Sequence, residues 1–182
     1  MGVMRSTLAI LFLLCSSWTY GSDQDVQNTR EAIDLMQSHL AAAELSGAIA
    51  LQQVRERRLE LIEARILLAE LEHKPEAVTP LLKEIVELWS VAELRQAELI
   101  QANAGSMSSF VEVQRASLGS QVRLAQHTGD REALRKLSKK WVELENQQLE
   151  RVQHLVKEGL ISPTDLARQK LRVARAGRVA EL

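Results

Sequence analysis

Apolar residues recur along most of the chain at alternating intervals of three and four, a rhythm that only side-by-side packed helices can use. The first run is Ile33, Met36, Leu40, Ala43, Gly47, Ala50, Val54, Arg57, Leu61, Ala64, Leu68 and Leu71. The second is Val78, Leu81, Ile85, Leu88, Ala92, Arg95 and Leu99, and the third is Leu134, Leu137, Trp141, Leu144, Gln148, Arg151 and Leu155. From Val78 and Leu134 to Leu99 and Leu155, the second and third runs keep a constant offset of 56. That offset is a whole number of heptads, so a unit repeated at this distance keeps its seam in phase.

The offset continues outside the seam. Glu76-Ala77 matches Glu132-Ala133, Lys83 matches Lys139, Glu87-Leu88 matches Glu143-Leu144, and Leu68-Ala69 matches Leu124-Ala125. Gly47-Ala48-Ile49 lies two periods before Gly159-Leu160-Ile161. These matches predict an internal duplication. Composition agrees with helices: the aromatic residues are only Phe12, Trp18, Tyr20, Trp89, Phe110 and Trp141, too few for the core of a β-sandwich or α/β enzyme. The expected fold is all-α, with antiparallel long-helix hairpins forming a coiled-coil-like bundle or short array. Its approximate units are 23–52, 53–108, 109–164 and a partial 165–182.

Local signals place the turns at two ends. Ser162-Pro163-Thr164-Asp165 reads as a serine N-cap followed by proline at the first helical position, and Ser109 with Glu112 reads as a second capping box after Gly105. His73-Lys74-Pro75 and Thr128-Gly129-Asp130 interrupt the rhythm at the opposite end. At Gly47 the seam runs on unbroken, so either a turn there or one helix of about 50 residues fits. Leu59, Ile62 and Ile66 face away from Leu61, Leu68 and Leu71, which predicts that this helix touches two neighbours.

Residues 1–22 are expected to be a signal peptide rather than part of the fold. Arg5 precedes the apolar stretch Leu8 to Leu14, and small and polar residues lead to cleavage after Gly21 or Ser22. A lipidated Cys15 is disfavoured by Leu14 before it. Without that segment no cysteine remains, and 22 basic residues stand against 24 acidic ones. That balance does not call for nucleic acid. The expected location is the periplasm or cell envelope.

Arg151, Leu155 and Ser162 have the spacing of the hairpin tip in periplasmic adaptor (HlyD/AcrA-like membrane-fusion) subunits, and the segment Arg151 to Leu166 resembles that region. Arg95, Leu99 and Ser106 repeat the spacing, whereas His39, Ala43 and Ala50 do not keep its residue types. Similar helical segments occur in TolC-type outer-membrane efflux proteins. The resemblance implies protein–protein contact or self-association at these turns, with a TolC-like channel or other export component as partner. It covers only the turn-flanking segments, and strand-rich adaptor segments are missing from the sequence. A structural reading competes at each residue. The leucines fit a core, the serines fit helix caps, and the arginines suit the last turns of helices.

Catalytic and cofactor chemistry is sparse. His39, His73, His127 and His154 have no metal-ligand spacing, and Glu56, Glu60, Glu63, Glu70 and Glu72 interleave with Arg55, Arg57, Arg58 and Arg65 as on a solvated face. No cofactor, metal or enzymatic activity is expected. Arg168, Lys170, Arg172, Arg175 and Arg178 make a basic terminal helix, expected to meet an acidic neighbour rather than a membrane surface. The sequence points to an exported helical protein that mediates protein–protein contacts. A free-standing periplasmic scaffold or stress-related binding protein is the alternative.

Overall fold

The computed structural model describes residues 23–46 and 50–180, so the expected signal peptide lies outside the described residues. The described residues form six helices and no strand: α1 (Asp23–Ser46), α2 (Leu51–Leu71), α3 (Pro75–Gln101), α4 (Met107–Thr128), α5 (Arg131–Lys157) and α6 (Pro163–Ala180). The protein is all-α. The first residues of α2, α4 and α6 are separated by the same offset that relates the apolar runs, and so are those of α3 and α5. The expected unit boundaries after residues 52, 108 and 164 fall in the first turns of α2, α4 and α6.

The helix ends follow from local chemistry. His73, Asn103, Gly129 and Gly159 take left-handed conformations, with φ of 56°, 53°, 68° and 70°. After each, the next amide donates to the carbonyl five residues back: Lys74 to Ala69, Ala104 to Leu99, Asp130 to Ala125 and Leu160 to Leu155, all at 2.8–2.9 Å. This bond satisfies a carbonyl that the helix leaves open. Asp130 caps α5 by accepting from the Ala133 amide at 2.9 Å. At α6 the Ser162 hydroxyl donates to Asp165 at 2.8 Å, and the Ser162 amide reaches the same carboxylate at 3.2 Å.

One expectation about the turns is corrected. Ser109 and Glu112 form no capping box: α4 starts at Met107 with Ser106 at the N-cap position, so Ser109 already lies inside the helix. Glu112 instead accepts from Arg115 and Arg172. Of the two alternatives open at Gly47, the one with separate helices fits the described residues, because α1 and α2 lie against each other in opposite directions. Arg30 near the start of α1 pairs with Glu72 just past the end of α2, while Glu44 near the end of α1 pairs with Arg58 near the start of α2 at 2.7 Å. The connection itself, residues 47–49, lies outside the described residues.

Among the described residues, backbone packing joins only helices adjacent in the chain: α1 with α2, α2 with α3, and onward to α6. Side chains add links between alternate helices, as Arg123 of α4 pairs with Glu63 of α2. The two stripes of α2 are both used. Leu61 packs with Ile33 and Leu40 of α1. On the other side Ile62, Ile66 and Ala69 pack with Val78, Leu82 and Ile85 of α3, joined by Leu124 of α4. Burying such side chains supplies about 1.5–3 kcal/mol each. The two apolar clusters therefore lie at the α1–α2 and α2–α3 junctions.

Candidate functional site: the groove between α4, α5 and α6

The C-terminal junction has a different interior. Glu145 of α5 is 2% exposed, yet it is ionisable. Its oxygens are occupied: Arg115 of α4 donates from Nε to Oε1 and from Nη2 to Oε2, both at 2.8 Å. Gln169 of α6 donates from Nε2 to Oε2 at 2.7 Å and to the Glu145 backbone carbonyl at 2.9 Å. The same amide accepts from Arg115 Nη2 at 3.1 Å. Three helices are therefore tied together by one polar cluster, which is how a carboxylate survives burial.

The electrostatics follow. Burial would push the Glu145 carboxyl up, but the hydrogen bonds from Arg115 and Gln169 and the charges of Arg115 and Arg172 outweigh it and hold it below the ordinary carboxylate range. For Arg115, burial would favour loss of the proton, yet the Glu145 and Glu112 contacts raise its affinity above the ordinary value. Both groups are charged at neutral pH.

This cluster forms part of the floor of an open groove of about 450 Å³ between α4, α5 and α6. Its walls combine Val111, Val152, Leu155 and Ile161 with Arg115, Arg151, Arg168 and Arg172, against Glu112 and Asp165. Most of these arginines are engaged: Arg168 with Asp165 at 3.4 Å, and Arg172 with Glu112 at 3.3 Å. Arg151 is exposed and makes no hydrogen bond or ion pair with the described residues. The groove thus offers an uncommitted guanidinium beside apolar walls, a combination suited to a carboxylate with an apolar neighbour.

The two copies of the Arg-Leu-Ser pattern end in different places. Arg151 and Leu155 line this groove, and Ser162 caps α6 near its rim. Arg95 lines a separate groove of about 360 Å³ between α2 and α3, with Leu51, Val54, Arg55, Arg58 and Leu88. Leu99 is half-buried under the α3–α4 turn, where a Cβ on Gly105 would come within 3.0 Å of it. Ser106 makes no capping hydrogen bond through its side chain. Leu155 is likewise half-buried, and neither leucine belongs to a fully buried cluster.

Sequence reasoning missed Arg115, Glu145 and Gln169. One signal was present: Glu145 stands 56 residues after Trp89, so along the offset that relates the apolar runs an acid stands where the earlier run has a half-buried aromatic. At the earlier position the Arg55 guanidinium lies 4.9 Å from the centre of the Trp89 ring. The acidic neighbour expected for α6 is found at Arg172, which pairs with Glu112 of α4. The helix packs on α5, with ion-pair contact to α4, while Arg175 and Arg178 project outward without a partner among the described residues.

Among the described residues no group of three or more His, Cys, Asp or Glu side chains is placed to hold a metal ion, and no helix is long and apolar enough to cross a membrane. The chain matches no family model, no curated protein and no solved structure.

Proposed function

We propose that the protein is an exported, non-enzymatic helical scaffold that makes protein–protein contacts in the cell envelope, and that the α4–α5–α6 groove receives its partner. The observation that carries this reading is Arg151, an unpaired guanidinium at a groove whose floor is pinned by the Arg115–Glu145–Gln169 cluster. A rigid floor with one free cation favours a partner segment bearing an acidic side chain next to an apolar one. Export rests on the order of residues in 1–22. The constant spacing of helix starts and of left-handed turn residues supports a duplicated two-helix unit. The adaptor-like spacing of Arg151, Leu155 and Ser162 is consistent with a contact at this end of the array, and an export channel component remains the partner that the resemblance suggests.

The test places a photo-crosslinking residue at Val152 in cells and reads the crosslinked partner peptide by mass spectrometry. A synthetic copy of that peptide should bind the purified chain, with Arg151→Glu weakening it at least about tenfold and Arg95→Glu leaving it unchanged. Equal binding by all three chains would remove the groove from the function. A second reading, a scaffold that holds an apolar client, is favoured by Leu45 and Leu94, which are 90% and 68% exposed. It predicts binding that ignores Arg151.

A further inference from the structure

Helices α1 and α6 carry opposite charge. Helix α1 holds Asp23, Asp25, Glu31, Asp34 and Glu44 against Arg30 alone, whereas α6 holds Arg168, Lys170, Arg172, Arg175 and Arg178 against Asp165 alone. Among the described residues the backbone of α1 packs on α2 alone and that of α6 on α5 alone, and each helix has an exposed face there.

Those faces also match in shape. On α6, Arg168, Leu171, Arg175 and Arg178 share one side at intervals of three and four, and Leu171 is 60% exposed. On α1, Glu31, Asp34 and Leu35 lie together on exposed surface, with Leu35 60% exposed. Beside them is a notch of about 250 Å³ lined by Leu35, Met36, His39, Arg57 and Glu60. Helix α6 therefore presents a leucine set among arginines, and the α1–α2 notch sets Leu35 and Met36 beside Glu60, with Glu31 and Asp34 nearby on α1, three carboxylates against the one guanidinium of Arg57.

We propose that the chain associates head to tail with further copies of itself, the α6 face of one copy seating Leu171 in the α1–α2 notch of the next. Arg168, Arg175 and Arg178 then face Glu31, Asp34 and Glu60. The contact joins two different surfaces, so each added copy leaves both kinds of face open at the ends. Assembly proceeds past the dimer, to an open string or a closed ring. Arg168 borders both this surface and the groove at Arg151, whereas Leu171, Arg175 and Arg178 lie outside that groove, so variants at Arg175 and Arg178 test this contact without touching it.

Sedimentation velocity of the purified full chain across a concentration series tests the proposal. Species larger than dimer should grow with concentration at about 0.01 M salt and recede at about 1 M, where the Debye length falls from about 30 Å to about 3 Å. Arg175→Glu/Arg178→Glu and Glu31→Lys/Asp34→Lys should each raise the half-association concentration at least about tenfold. Mixing the two variants should restore pairing to at least a one-to-one dimer, because the intact α6 face of one then meets the intact α1 face of the other. Circular dichroism checks that both stay helical. A wild type that is a monomer at every condition or stops at the dimer, or variants that fail to pair on mixing, overturns the proposal. So does a monomeric wild type whose Arg175 and Arg178 serve instead to bind vesicles of anionic lipid.

Discussion

Arg115 grips Glu145 through two parallel hydrogen bonds of 2.8 Å, and the carboxylate they hold is almost sealed from water. Removing Arg115 leaves Glu145 a buried charge held only by the Gln169 amide, whereas removing Glu145 leaves Arg115 its Glu112 partner. Arg115→Ala should therefore cost about 3 kcal/mol or more in urea unfolding and Glu145→Ala less, whereas Arg115→Met/Glu145→Leu should lie close to wild type. A double variant as unstable as the single ones would show that the pair contributes net stability rather than orientation.

The same pair sets an acid limit. Its partners hold Glu145 below the ordinary carboxyl range in the folded chain, so its contribution is complete above that range and disappears as falling pH protonates the folded form. Wild type should lose stability across that acidic window by more than Glu145→Gln does. Parallel unfolding curves for the two chains at every acidic pH would contradict this.

Gly159 and Asn103 occupy matching left-handed positions one period apart, with φ of 70° and 53°. A Cβ on Gly159 meets no atom within 4 Å, so Gly159→Ala should cost about 1 kcal/mol through the backbone alone. Asn103→Gly should recover several tenths of that amount. At Gly105 a Cβ would stand 2.9 Å from the Ile100 nitrogen, so alanine there should be costlier than at Gly159. Thermal melts of the three variants give the order.

Trp89 and Arg55 should be coupled. A double-mutant cycle with Trp89→Leu and Arg55→Met should return about 0.5–1 kcal/mol for the guanidinium over the ring. A coupling near zero would mean that Arg55 merely covers the ring edge.

Helices were legible in the sequence because their signal is periodic. The stripes of α2 announced both neighbours, since Ile62 and Leu61 cannot face one partner at once. The start of α6 was legible because serine, proline and an acid stand in the right order. Ser109 and Glu112 misled for the opposite reason: their spacing is that of a capping box, but position in the turn depends on Gly105 and the left-handed Asn103, which bring α4 back to begin at Met107. Glu145 was hidden on a helix where acids are common. What makes it special is Gln169, which approaches from another helix, and no one-dimensional pattern reports that meeting. The spacing of Arg95 and Arg151 was visible, while their separation into two grooves depends on how the hairpins stack.

Because each helix leans on its neighbours in the chain, the protein can assemble in the order in which it is made. Contacts between near segments close quickly, and none of the backbone contacts made by α1 waits for a distant helix. The exception is the buried carboxylate. Arg115 and Glu145 meet once α5 is complete, but Gln169 arrives only with α6. A chain halted before α6 has its α4–α5 junction open and its polar cluster unfinished, so α6 latches a pair of charges that was made before it.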